Sequence, residues 1–249
     1  MVKAIFNHRS IRKYKSDPID EKLLKEILQA GIRASNTGNM QLYSIIVTKD
    51  ENLKNQLWEA HFKQDMVKQA PVLLTFVADI NRFHRWCELR NAGTAYDNFF
   101  WFYNATIDAV IAAQNVAIEA EDKGLGICYL GTTTYMARKI IEILNLPKGV
   151  VPVTSLVLGY PDETPELTDR LPFDAVVFDE KYSELTENQI DKMWKEKENS
   201  KLTKKLIEEN QTENLAQIFT QKRYKKQDNV FFSKEFLKII EEQGFMNNE

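Results

Sequence analysis

The stretch TAYDNFFWFYNATIDAVIAAQNVAIEAEDK, residues 94–123, constrains the fold more than any other part of the chain. It holds no proline, carries aromatic residues at one end and alanine through its middle, and stops at Gly124 and Gly126. That punctuation predicts one long helix. Apolar residues occupy most of its circumference, so it must be buried, in the core of its own chain or in an interface with a second subunit.

The flanking sequence supplies strands and shorter helices. YSIIVTK (43–49), PVLLTFVAD (71–79), GICYLG (126–131) and PVTSLVLGYP (152–161) are short β-branched or apolar runs and predict four strands. Asp20 is placed to cap a helix in which Leu23, Leu24, Ile27, Leu28 and Ile32 recur at helical spacing to about residue 34. Further helices are predicted over 51–62 and over YMARKIIEILNLP, which ends at Pro147. Strands mixed with helices point to a three-layer or α+β domain. Composition then shifts: no glycine occurs from Tyr160 to Gln243, no proline follows Pro172, and 184–213 is dense in Lys, Glu and Asn. Such a segment has too few apolar residues to build a core and is predicted as solvated helix laid over the main domain or a partner subunit. The expected division is a main domain over 1–182 and a helical, charged C-terminal extension over 183–249.

Several function classes are disfavoured. With Lys+Arg 33 against Asp+Glu 36, the net charge is −3, so there is no general excess of cations to track a nucleic acid. The longest apolar runs fall short of the roughly 20 residues a membrane helix needs, and the start of the chain lacks a signal-like apolar run; a cytoplasmic protein is expected. Neither the two cysteines, Cys87 and Cys128, nor the three histidines show metal-ligand spacing, so no metal is expected. Dinucleotide-binding G-x-G-x-x-G and P-loop patterns are both missing, so any nucleotide-like ligand must be held by other means.

Local clusters give candidates for that role. In HRSIR (8–12), Arg9 and Arg12 are three apart and are expected on one face of a helical turn beside Ser10, where guanidinium forks could take a phosphate or a planar acceptor edge. A solvated basic patch is the alternative. SNTGNMQ (35–41) offers hydroxyls and amides in a loop, as a polar ligand edge or an ordinary loop would require. TQKRYKKQD (220–228) gathers Lys222, Arg223, Lys225 and Lys226 around Tyr224, which is either an anion site or a solvated charge run. Phe99, Phe100, Trp101 and Phe102 are expected to pack in the core or an interface. The two cysteines have nothing nearby in sequence to lower a thiol pKa.

Taken in order, NHRSIRKY, AGIRASNTGNMQLYSIIV, APVLLTFVADINRF, AAQNVAIEAEDKGLGICYLG, VPVTSLVLGYPDE and DRLP resemble the flavin-dependent nitroreductase family. The likeness is strongest to its NADPH-preferring, oxygen-insensitive nitroreductase and flavin reductase branch. It covers roughly residues 3–182 and continues more loosely into FFSKEFLKIIEEQGF in the tail. The resemblance implies an α+β fold with a mixed sheet flanked by helices, the long central helix at a homodimer interface, an extended C-terminal arm, and FMN between the subunits.

By position, the resemblance puts His8, Arg9 and Ser10 on the FMN phosphate and ribityl chain, and Arg12 near the pyrimidine edge of the ring. Ser35, Asn36, Thr37 and Gln41 would come from a loop at the dimer seam, Gln64 would bond the ring or ribityl region, and Tyr129, Leu130 and Gly131 would bring backbone close to the flavin. Arg170 would be a second phosphate clamp, although Thr168 stands where the branch has a lysine. Lys222, Arg223, Lys225 and Lys226 would meet the 2′-phosphate of NADPH, and Lys234 would lie near the substrate. The implied function is ping-pong, two-electron reduction of nitroaromatics, quinones or flavins by NADPH or NADH, with the chemistry carried by FMN and no side chain as acid or base. Alternatives are a dedicated NADPH:FMN reductase or a quinone or chromate reductase on the same scaffold, and, from another class, a flavin-binding protein with little turnover.

Overall fold

The structure is a computed structural model that describes residues 1–94 and 96–248; Ala95, inside the predicted long helix, lies outside the described residues. The chain forms two compact units, one of residues 1–167 with 235–249 and one of Thr168–Lys234.

The first unit runs α1 (Lys3–Asn7), α2 (Glu21–Ile32), β1 (Tyr43–Thr48), α3 (Glu51–Ala60), α4 (Met66–Gln69), β2 (Val72–Asp79), α5 (Asn81–Glu88), α6 (Phe99–Asp122), β3 (Gly126–Leu130), α7 (Thr132–Tyr135), α8 (Ala137–Ile143) and β4 (Val150–Gly159). The four strands lie in the order β1-β2-β4-β3, and every neighbouring pair is antiparallel. The mixed character implied by the family likeness is confined, among the described residues, to a single parallel bridge from Ser10 to Ile127.

Three layers result from the two-residue alternation of the central strands. Leu74, Phe76, Leu156 and Leu158 face α2 and α6, where they meet Leu24, Ile27, Ala109, Ala112, Ala113 and Val116. Leu73 and Val157 point the other way, into Leu57, Ala60, Val67 and Ile140 of α3, α4 and α8. β2 is therefore buried along its whole length, and its sequence is apolar except for the buried Thr75 and Asp79. The alanines of α6 let α2 approach closely: a Cβ on Gly31 would stand 2.5 Å from Val116 Cγ2 and 3.2 Å from the Ala112 carbonyl.

Two ends differ from the sequence expectation. α6 begins at Phe99, because Asn98 is extended and its side chain accepts the Trp101 N–H at 3.3 Å, a side-chain cap that ends the helix there. Residues 8–12 do not form a helical turn. α1 stops at Asn7, and the next residues are captured by the free edge of β3, with Ile11 N donating to Ile127 O at 2.9 Å. A Cβ on Gly126 would lie 2.7 Å from Ile11 Cγ1, so glycine is what lets the two backbones meet.

The second unit contains α9 (Glu187–Asn199), α10 (Lys201–Asn210), α11 (Leu215–Gln217), a π-helical turn (Ile218–Arg223) and the start of α12 (Lys226–Glu242). Thr186 and Gln189 form a capping box at the start of α9. α9 has no buried residue; Thr203, Leu215 and Ile218 are buried in the elements that follow.

Candidate functional site

The segment 8–12 runs beside β3, joined by the parallel Ser10–Ile127 bridge, so Arg9 and Arg12 are not placed by a helical turn. Arg9 donates through Nη1 to the Asn7 carbonyl at 3.0 Å, while its Nε is buried and has no partner. An orphaned guanidinium N–H costs free energy unless an acceptor arrives. His8 is tied through Nδ1 to Glu121 Oε1 at 2.7 Å. Glu163, just beyond β4, accepts the backbone N–H groups of Arg12 and Lys13 at 2.5 and 3.1 Å and holds the segment extended. Arg9, Ile11, Glu121, Gly126 and Glu163 all line one cleft of about 380 Å³.

Gln64 reaches Thr132, the residue that follows the Tyr129–Gly131 segment at the end of β3. Gln64 Nε2 donates to His61 O at 3.0 Å and Thr132 Oγ1 at 3.3 Å. A carbonyl oxygen can only accept, so the amide nitrogen must face inward and Oε1 is left to offer a ligand. His61 Nδ1 lies 2.9 Å from the same Thr132 hydroxyl; its ring is fully buried and its Nε2 has no partner. Burial pushes its pKa down to about 4, so the imidazole is neutral at ordinary pH. Beyond β3, a Cβ on Gly131 would meet nothing within 4 Å, so the space beside that backbone is open. Tyr129 donates to Gln114 Oε1 at 3.3 Å, and burial, with the Glu121 charge adding to it, raises its phenol pKa. Cys128, next along β3, has a thiol pKa raised chiefly by burial, which keeps it unreactive.

The loop Ser35–Gln41 stands apart from these groups. It feeds β1, whereas residues 8–12 dock on β3, and the strand order places β1 and β3 at opposite edges of the sheet. Three strand spacings, about 14 Å, separate those edges. Charged groups of opposite sign fix the loop from two sides. Asp108, a buried acid in the alanine face of α6, accepts from Thr37 N at 2.9 Å, Thr37 Oγ1 at 3.0 Å and Leu42 N at 3.4 Å. Arg82 at the start of α5 donates to the carbonyls of Gln41 and Tyr43 at 2.5 and 3.1 Å. Within the loop, Asn36 Oδ1 accepts Gln41 N at 3.1 Å, and Ser35 is exposed.

Backbone strain marks the same two places. Among the described residues, eight non-glycine residues have positive φ, and four of them, Asn39, Gln41, Phe62 and Lys63, fall in this loop or in the turn before Gln64. A left-handed Cβ-bearing residue costs roughly 1–2 kcal/mol. Sequence alone did not single out Asp108, Arg82, His61, Thr132, Glu121 or Glu163. The one legible signal was Asp108, the lone acid between the aromatic and alanine parts of α6.

The remaining candidates belong to the second unit. Arg170 is exposed and folds onto its own loop, its Nη1 donating to Thr168 Oγ1 at 2.7 Å and to the Asp169 carbonyl at 3.0 Å. Lys197 pairs with Asp169 at 3.3 Å. Lys222 and Arg223 end the π-helical turn, and Lys225 and Lys226 follow at once; all four are exposed, as is Lys234 on α12. The Arg223 guanidinium lies 6.0 Å from the Phe219 ring.

Known proteins share this architecture. The chain is 37% identical over 180 residues to an NADPH-dependent oxidoreductase of Staphylococcus saprophyticus, covering 71% of each. A crystal structure of a Bacteroides fragilis protein superposes with a TM-score of 0.97 at 46% identity, over 98% of this chain and 100% of that one. The NADPH:FMN oxidoreductase of Vibrio harveyi, solved in complex with NAD+, gives a TM-score of 0.81 at 27% identity, over 99% of each chain. The profile of the Nitroreductase family matches residues 5–160, which takes in every strand of the sheet together with the His8–Arg12, Ser35–Gln41 and Gln64 segments. With that match and this fold, the chain belongs to the nitroreductase family.

Proposed function

We propose that the protein uses FMN to pass electrons from NADPH to small acceptors such as nitroaromatics, quinones or free flavins, as a homodimer in the cytoplasm. The chain is an NAD(P)H-dependent oxidoreductase of a flavin-dependent family. The observation that carries the FMN reading is the junction at β3. There the buried, unpartnered Arg9 Nε, the Gln64 carboxamide held by His61 and Thr132, and the open space at Gly131 are brought to one strand and the turn after it. These groups fit a ligand with an anionic end and a polar, planar edge.

When bound, FMN supplies two-electron transfer between a nicotinamide and an acceptor. The residues of this chain hold and tune it. Arg9, with Ser10 and His8, takes the phosphate and ribityl end; Arg12 places a cation at the pyrimidine edge, where negative charge grows on reduction. Gln64 accepts from the ring, its amide locked by His61 and Thr132. Tyr129, Leu130 and Gly131 contribute backbone. Arg170 remains a proposed second phosphate cation, in exchange for the bonds it makes to Thr168 and Asp169.

Ser35, Asn36, Thr37 and Gln41 stand at the other edge of the sheet, and in the proposed dimer it is the second copy that brings them to the flavin. α6 is shaped for that copy: Phe100, Tyr103, Ile107, Val110 and Ile111 form an apolar stripe at helical spacing and are 66, 56, 37, 45 and 37% exposed. Lys222, Arg223, Lys225 and Lys226 are assigned to the 2′-phosphate of NADPH, and Lys234 to the acceptor side. Among the described residues no helix is long and apolar enough to cross a membrane, which suits the proposed compartment.

The test is the identity of the bound group. Heat-released cofactor should co-migrate with FMN on chromatography, one per chain, and Arg9→Ala should bind FMN at least tenfold more weakly. Release of FAD, or no flavin even after incubation with FMN, overturns the assignment.

A further inference from the structure

Phe62 and Lys63 follow α3 in consecutive left-handed conformations, φ 54 and 57, which glycine would adopt freely. Phe62 is 52% exposed, so its own chain covers only about half of it. Its ring centroid lies 6.4 Å from the Tyr135 ring, the planes inclined at 55°. Tyr135 ends α7, three residues beyond the Thr132 hydroxyl that bonds both Gln64 and His61. The two rings thus edge the junction of the turns that carry Gln64 and Gly131. The left-handed pair closes the end of α3, with Lys63 N donating to the Trp58 carbonyl at 2.9 Å, and that turn leaves Phe62 half exposed beside the turns that carry Gln64 and Gly131.

We infer that Phe62, backed by Tyr135, is a specificity-determining ring for flat aromatic acceptors, giving nitroaromatics and quinones a face to stack on that small inorganic oxidants do not use. This rests on the flavin site proposed above. A ring against a ring contributes roughly 0.5–1.5 kcal/mol, or up to about tenfold in affinity.

The test compares wild type, Phe62→Gly and Phe62→Trp, each purified with its flavin. Naphthoate, a planar aromatic that accepts no electrons here, is titrated by calorimetry and by its perturbation of the flavin spectrum. Turnover is measured with a nitroaromatic and with ferricyanide. Phe62→Gly should bind naphthoate about five- to tenfold more weakly and lower the nitroaromatic-to-ferricyanide ratio of kcat/KM by a similar factor. It should melt no lower than wild type, because glycine relieves the strained φ. Phe62→Trp should restore both binding and ratio. Unchanged naphthoate affinity, equal losses for the two acceptors, or a lower melting point with no rescue by tryptophan overturns the inference. If Phe62→Gly instead turns dimers into monomers with naphthoate binding intact, the ring serves the subunit contact and the inference is wrong. A wild type that holds no flavin rejects the cofactor site itself, a result none of the Phe62 outcomes mimics.

Discussion

Removing the Asp108 carboxylate should release the Ser35–Gln41 loop at a predictable cost. In Asp108→Ala, Thr37 N, Thr37 Oγ1 and Leu42 N lose their acceptor together, and Leu42 is fully buried. An unsatisfied buried N–H costs about 1–3 kcal/mol, and water can reach part of Thr37, so the three losses sum to roughly 3–5 kcal/mol. Alanine returns about 0.5 kcal/mol as the better helix former. The net, about 2.5–4.5 kcal/mol, corresponds to about 10 °C in Tm for a chain of this size. Asp108→Asn keeps one oxygen for Thr37 but turns an amide N–H₂ toward the Leu42 N–H, for about 1–3 kcal/mol. Urea unfolding of the flavin-free protein gives the totals, and hydrogen exchange at Leu42 shows whether the loss is local. Asp108→Ala within about 1 kcal/mol of wild type, or an unchanged Leu42 exchange rate, would refute the clamp.

Other outcomes follow from single groups. His61 has a pKa lowered from 6.5 to about 4 by burial, so the unfolded chain takes up a proton that the folded chain refuses. Its contribution is complete above pH 6.5, is lost as pH falls toward 4, and amounts to about 3 kcal/mol. His84, lowered in the same direction, adds to that slope, and His61→Gln should remove the larger part of it in urea melts taken across that range. Gly31→Ala should cost roughly 1–3 kcal/mol, since its Cβ would meet Val116 and the Ala112 carbonyl; a Tm equal to wild type would mean that α2 moves freely off α6. Lys222→Ala with Arg223→Ala should slow flavin reduction by NADPH far more than by NADH in stopped flow. Equal slowing removes the 2′-phosphate assignment.

The sheet was legible because each strand is a short apolar run, and all four observed strands lie within two residues of their predicted ends. The long helix was legible from its composition, but its start was not: Asn98 caps it four residues after Thr94, and nothing in an aromatic-rich run distinguishes a cap from a continuation. The helical reading of His8–Arg12 failed because a tertiary contact, docking on β3 permitted by Gly126, overrides local spacing. The strand order and the separation of the two halves of the proposed site depend on long-range pairing that local periodicity does not encode. For the same reason, the groups that position the site were silent. Asp108, Arg82, His61 and Glu163 act on backbone atoms or on neighbours distant in sequence, and a lone charged or imidazole side chain says nothing of that until the chain is folded.

The most direct measurement is anaerobic titration of the purified, flavin-loaded protein with NADPH, followed in the visible flavin band. Bleaching with one equivalent of NADPH per flavin, and return of the band on adding a nitroaromatic or quinone, is the expected result. A colourless protein that takes up no FMN, or a yellow one whose band NADPH leaves untouched, contradicts the proposed function.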